Sequence, residues 1–348
     1  MKEKRKYWQG VRGTCILAVV LIHSLGGFDY STGYNMEFVI LRQIINFAVA
    51  TFVFMAGYFV NTDAMSDKEF SYKHWIICRG GRLCIPFIIW SLLYSGLELL
   101  KTVHSGGEIH WRGFVCRFIV GKSATPFYYI VVLVQLTVIT PWLVKIVKRN
   151  GIISRILWLV TPFYLVCLYI WNYIVGTSPR LYETLFPAWF GFYYLGIQVH
   201  CEKKVNSNGY VVAGTLLLSC IEAIGLRAAG FDIGFYISQI TVGSFLYSVA
   251  MIGWLLKKSE NNHGDYNLLT KIGDCSYGIF YIHMAVLMIV SRFIKCENWY
   301  AYWILRFVLT AAISYIMVYI GQIVLKKHKN CYDILDLYKR YWKRRIYR

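Results

Sequence analysis

The sequence is short of charge, and of acid above all. Asp and Glu number 18 in 348 residues, and charged residues of both signs reach only 16%. Soluble domains carry about 25%. A water-soluble chain of this size needs that charge on its surface, so the deficit excludes an ordinary soluble enzyme. An aromatic content of 18% excludes a disordered chain. The ten cysteines form no CxxC pair and no zinc-like cluster. Cys15, Cys84, Cys167 and Cys220 sit inside apolar runs and read as small buried hydrophobes rather than a disulfide framework. Nucleotide-binding and hydrolytic signatures are missing too: there is no P-loop, no GxGxxG opening a helix after a strand, no HExxH and no GxSxG.

Apolar sequence takes the place of charge, at 57% of the chain. A spanning helix needs roughly 20 mainly apolar residues. Ten candidate spans follow, near residues 13–28, 37–60, 83–100, 126–147, 152–175, 186–199, 210–226, 235–256, 275–294 and 302–325. The expected fold is therefore all-α, a polytopic membrane protein of about ten transmembrane helices. The stretch Trp111–Lys122 is too brief and too charged to span, and reads as an interfacial or re-entrant piece. Hydrophobic segments in matching halves show no shared Gly/Pro breaks, so a repeat-built transporter has no positive support.

Orientation follows from Lys and Arg. With the N-terminus in the cytoplasm, 27 of the 37 basic residues fall on the inner side and eight in outer loops. That asymmetry fits the positive-inside rule, and it places the C-terminus in the cytoplasm as well. The net charge of +19 then records topology and not a nucleic-acid partner. Residues 1–325 form the membrane domain. Residues 326–348 set Tyr332, Leu335, Tyr338 and Trp342 among Lys and Arg, and read as a basic amphipathic tail on anionic membrane lipid.

Ionisable groups inside the hydrocarbon are costly and point to function. His23 follows Arg12 by eleven residues, close to three helical turns and about 16 Å, so the two share one face. A cation at the cytoplasmic rim and a titratable ring near mid-membrane suit a substrate entering from the cytosol. The alternative is a histidine that merely packs. Arg79 and Arg82, three residues apart at a helix start, can hold a phosphate, or can simply anchor the inner end. Arg42, Glu98, Glu222, His283 and Arg306 are further ionisable residues within or beside spans. Tyr128, Tyr129 and Gln135 form a polar-aromatic stripe suited to a cavity wall.

These residues resemble the acyltransferase-3 family of integral membrane acyltransferases. Arg12 and His23 in RGTCILAVVLIHS match its first-span signature. The segment Phe52–Phe59, the pair Arg79 and Arg82 followed by Pro86, and Trp189-Phe190 through Leu195-Gly196 match later patterns. Gly273, Ser276, Tyr277, Gly278, Tyr281 and His283 match the family's late pattern, so the likeness covers most of the chain. Pro126-Phe127-Tyr128-Tyr129 departs from the His-Leu-Trp-Phe common in relatives. Some members are fused to soluble esterase-like or racemase domains, and residues 1–348 are expected to work without either.

The resemblance implies O-acyl transfer, usually of acetyl, from cytoplasmic acetyl-CoA to a hydroxyl of a surface polysaccharide or lipid-linked glycan, in the cytoplasmic membrane of a bacterium. It implies that His23 is catalytic with Arg12, and that Arg12, Arg79 and Arg82 bind acyl-CoA. The expected acceptor-binding or cavity-lining residues are Tyr128, Tyr129, Gln135, Ser276, Tyr277, Tyr281 and His283. A thioester is already activated, so no metal is expected. The alternative is a glycan exporter or flippase, or an amino-acid uptake protein, of the same broad family.

Overall fold

The computed structural model describes residues 2–26, 36–65, 69–108, 110–201, 205–261, 267–294 and 296–327. Residues 27–28 of the first expected span, and the expected amphipathic tail from residue 328 onward, lie outside the described residues. Among the described residues the chain is helical throughout and has no strand.

In chain order the helices are α1 (Lys2–Ser24), α2 (Met36–Ile45), α3 (Phe47–Tyr58), α4 (Tyr72–His104), α5 (Trp111–Ile119), α6 (Tyr128–Arg149) and α7 (Ile152–Ile156). They continue with α8 (Val160–Val175), α9 (Pro187–His200), α10 (Gly209–Ala228), α11 (Ile233–Tyr236), α12 (Val242–Asn261), α13 (Leu268–Phe293) and α14 (Trp299–Lys327). Their ends follow local chemistry. The side chains of Ser71, Asn208 and Asn267 accept from backbone N–H groups at the starts of α4, α10 and α13. Pro187 opens α9, where a missing N–H costs nothing. Gly176, at φ 77°, closes α8 in the left-handed region that glycine adopts freely.

Among the described residues, seven helical segments are long and apolar enough to cross a membrane: α2 with α3, α4, residues 125–149, α7 with α8, α10, α13 and α14. Three of the ten expected spans fall short of that standard, each for a visible reason. The first ends as helix at Ser24, and the last 18 residues of α1 include Gln9, Arg12 and His23. The sixth, α9, has only 14 residues, about 21 Å of helix. The eighth was expected from residue 235, but the chain leaves the helix between α11 and α12, and α12 ends in Lys257, Lys258 and Glu260. All three lie inside the bundle. Residues 188–198 of α9 are buried without exception. A helix wrapped by protein has no need of a full apolar length.

Peripheral helices are the opposite case. In an 18-residue apolar stretch of each, only 11% of α14 and 17% of α4 and α10 is buried, against 61% for α2 with α3. Their outward faces carry large apolar side chains such as Leu92, Leu217 and Ile316, which hydrocarbon would cover. The helix α5 has no buried residue, and at nine residues is too short to cross.

The most extensive contacts run between α1 and α13 and between α3 and α9. Both pairs close on glycine. A Cβ on Gly13 would run into the carbonyl of Leu269, and one on Gly273 into the carbonyl of Gln9. Gly57 and Gly196 stand in the same relation to Tyr193 and Phe54. Backbones can approach this closely only where no side chain intervenes.

Candidate active site

The glycine contact between α1 and α13 brings the two intramembrane histidines together. The rings of His23 and His283 lie 5.3 Å apart, inclined at 42°. His283 is fully buried, and its Nδ1 is 2.9 Å from the Ile279 carbonyl. A carbonyl only accepts, so Nδ1 carries the proton and Nε2 keeps a lone pair. That Nε2 is buried and has no hydrogen-bond partner. A buried polar atom left so costs about 1–3 kcal/mol, and the ring beside it is that of His23.

His23 is half-buried and lies on the wall shared by two cavities. The smaller, about 220 Å³, also exposes Arg42, Tyr128, Tyr129, Glu183, Trp189 and Gln239. The larger, about 840 Å³, extends past Arg42 and Arg306 to exposed Lys101 and Arg292. On the other side, a cavity of about 330 Å³ holds Arg12, Ser276 and Tyr277, and shares Phe52, Tyr129 and Phe280 with the 220 Å³ one. Next to it, sharing Ala56, a cavity of about 430 Å³ is lined by Arg79 and Arg82. The four form a series of neighbours, with His23 on the wall between the 220 Å³ and 840 Å³ cavities. Along α4, Arg79 and Lys101 are 22 residues or about 33 Å apart, close to the hydrocarbon thickness of a bilayer.

The cations are held rather than loose. Arg79 donates from Nη2 to the Ala56 carbonyl at 2.8 Å and lies over the Trp75 ring at 4.9 Å. Arg82 donates from Nε to the Cys78 carbonyl at 3.1 Å. Arg12 donates to Gln9 at 3.1 Å and sits over the Phe59 ring at 5.3 Å. Tyr277 ties α13 to α4 by donating to the Arg82 carbonyl at 2.9 Å.

A buried polar cluster sets the turn that completes the His23 cavity. Gln43 donates to the Tyr236 carbonyl at 3.1 Å and Asn46 to the Ser238 carbonyl at 3.0 Å. Ser219 and Ser244 donate to Gln43 at 2.7 and 2.9 Å. These bonds hold Ile237–Ile240 against the cavity, where Arg42 also reaches the Ile237 carbonyl at 3.4 Å.

Of the expected residues, Tyr128 and Tyr129 line the His23 cavity, and Ser276 and Tyr277 the Arg12 cavity. His283 backs His23. Tyr281 lies in the core, stacked on Trp90 at 6.1 Å, with its carbonyl accepting from Tyr94 at 2.8 Å. Gln135 lines none of the four cavities. It donates to the Thr184 carbonyl at 2.8 Å and accepts from the Phe186 N–H at 3.0 Å, pinning the backbone on either side of Glu183. Glu98 pairs with Arg117 at 2.8 Å, and Glu222 accepts from Tyr169 and the Gly243 N–H. Sequence reasoning passed over Glu183 and Gln239. Both lie in connections between helices, where a search for ionisable residues inside spans does not look.

The sequence model of the acyltransferase-3 family, described as an acyltransferase domain, matches residues 5–319. Neither a curated protein nor a solved structure matches the chain.

Proposed function

Because the chain belongs to the acyltransferase-3 family, with a membrane bundle as its fold, we propose that it moves an acetyl group from cytoplasmic acetyl-CoA to a hydroxyl of an extracytoplasmic surface glycan. The carrying observation is the place of His23, on the wall between one cavity that reaches past Arg42 and Arg306 and another that adjoins the Arg12 cavity. The proposed topology has ten membrane-embedded helices, both termini cytoplasmic, in the cytoplasmic membrane of a bacterium. The 27-to-8 split of basic residues supports it.

In this reading Arg79 and Arg82 hold the phosphates of acetyl-CoA at the inner face through charge-assisted hydrogen bonds, with Arg12 further in. The pantetheine arm runs inward beside Tyr277 and Ser276 and presents the thioester to His23. The acceptor hydroxyl approaches from the opposite cavity. His23 takes its proton as the hydroxyl oxygen attacks the thioester carbonyl. A C–O bond forms, the C–S bond breaks, and the proton passes to the departing sulfur to give free CoA. General-base action of this kind is worth about 10²–10⁴-fold. The lone pair on His283 Nε2 orients the His23 ring. Attack by His23 itself, giving an acyl-imidazole that the hydroxyl then resolves, is the covalent variant of the same step.

The test is purified protein in nanodiscs with acetyl-CoA, following CoA release and acetyl adducts, alongside mass spectrometry of surface glycans with and without the protein. The reading expects acetyl-sized mass shifts that depend on His23. No thioester consumption by the purified protein defeats it in favour of transport.

A further inference from the structure

The charged residues lining the large cavity beside His23 are Arg42, Lys101, Arg292 and Arg306, and among the described residues no Asp or Glu lines it. Arg306 is the informative member. It is 6% exposed, donates from Nη1 to the Gly26 carbonyl at 2.9 Å and lies over the Tyr302 ring at 5.2 Å. Its Nε is buried and has no hydrogen-bond partner. Among the described residues, no carboxylate pairs with Arg306, Lys101 or Arg292. A guanidinium this deeply buried, with no carboxylate partner among the described residues, is expensive, and four cations around one cavity suit an oxyanion.

The rest of the wall says where that oxyanion comes from. Leu97, Met288 and Ile289 line the cavity and are exposed on the face that hydrocarbon would cover. Lys101 and Arg292 stand exposed at the end remote from Arg79, about 33 Å along α4. The donor's phosphates are accounted for at that other end. This cavity therefore meets the second substrate.

We infer that the acceptor is itself an anion: a hydroxyl compound bearing a phosphate or carboxylate, which Arg306 and Arg42 clamp while its hydroxyl faces His23. The inference rests on the acyl-transfer reading and adds to it the charge of the acceptor. Lys101 and Arg292 draw the anion to the mouth, and buried Arg306 with half-buried Arg42 fixes its register. A neutral sugar leaves the buried guanidinium without its partner and loses by that amount.

The experiment uses the full chain in phosphatidylcholine nanodiscs with acetyl-CoA, offering glucose, glucuronate and glucose 1-phosphate in parallel. A second set of discs contains phosphatidylglycerol, whose headgroup carries both a phosphate and hydroxyls. Acetyl adducts are counted by mass spectrometry, and melting temperature is followed with each compound. At least one anionic compound should be acetylated at least about tenfold faster than glucose, the size of one charge-assisted hydrogen bond. Arg306→Gln should erase the preference, and Arg306→Lys should restore part of it. Lys101→Ala with Arg292→Ala, at exposed positions that folding tolerates, should weaken the preference about threefold. Preference for the soluble sugars names a glycan acid as the source, and acetylation of phosphatidylglycerol names a lipid headgroup. Equal rates for glucose and its anionic partners overturn the inference. So does a wild type that neither acetylates the anions nor is stabilised by them more than the Arg306→Gln protein. A wild type that consumes no acetyl-CoA under any condition defeats the acyl-transfer reading instead, and the melting temperatures still decide whether the cavity binds anions.

Discussion

The two cationic ends of the cavity series are built differently. At one end Arg79 is half-buried and Arg82 exposed, and each places a single donor on a neighbouring carbonyl. The anchoring bond uses one of the fork's five N–H donors. At the other end Arg306 is almost completely enclosed and its Nε has no partner. An exposed pair reads a ligand that arrives in water with several charges, and reads it loosely. An enclosed cation reads a ligand that has been stripped of water, and discriminates strongly for or against it. Between Arg306 and the arginine pair lies His23, on the wall that the Arg306 cavity shares with the 220 Å³ cavity next to that of Arg12.

That common position carries the largest expected effect. His23→Ala should lower acetyl transfer by about 10²–10⁴-fold whatever acceptor is offered, with the melting temperature little changed. Retention of full transfer by that variant would remove His23 from the chemistry, and the two ends would no longer meet at a reacting group. A separate break is mechanical. Gly273→Val should prevent α1 from seating on α13, since the new side chain meets the backbone of Gln9, and the yield of folded protein should collapse. Gly225→Val, where nothing stands within 4 Å, is the control and should fold normally.

The next effect separates the ends. Arg79→Ala with Arg82→Ala should raise KM for acetyl-CoA by about ten- to hundredfold, the cost of losing charge-assisted bonds to phosphate, while KM for the acceptor holds. A change in both constants would mean that the pair shapes the whole bundle. Salt should divide them as well. Between about 0.01 M and about 1 M the screening length falls from about 30 Å to about 3 Å, which weakens exposed pairs far more than enclosed ones. KM for acetyl-CoA should therefore climb with salt more steeply than KM for an anionic acceptor.

How much of this could be read from residues alone differs between the two ends. The three-residue spacing of Arg79 and Arg82, and the periodicity that puts Arg12 and His23 on one face, need no tertiary knowledge, but α4 begins at Tyr72, so the arginine pair stands about two turns inside the helix and not at the start expected for it. The helical class was equally plain from runs of apolar residues. Arg306 was visible only as a charge within a span, because its neighbours Gly26, Met284 and Arg292 come from distant parts of the chain. The helix α9 shows the limit of hydropathy. It is at the centre of the bundle, and its 14 residues satisfy packing against α3 rather than a distance across lipid. Expectation and structure part most clearly at Gln135. A polar residue in a spanning helix suggests a cavity wall, but a carboxamide can also serve backbone groups in a neighbouring connection, and periodicity cannot tell these apart.

Gln135 also supplies the smallest test of the comparison. Its amide satisfies the Thr184 carbonyl and the Phe186 N–H, so the backbone on both sides of Glu183 is fixed by one side chain. Glu183 lines the His23 cavity together with Arg42 and lies in neither of the two cavities that hold Arg12, Arg79 and Arg82. Gln135→Met keeps the volume and removes both bonds, at a cost of about 1–3 kcal/mol in stability. The loosened connection should blur the position of Glu183, and KM for the acceptor should rise a few-fold, while KM for acetyl-CoA stays within error. Gln135→Glu can still accept from Phe186 but cannot donate to Thr184, so it should recover part of the acceptor affinity. If both variants change the two constants together, the connection supports the bundle as a whole, and the acceptor side has no separate wall at Glu183.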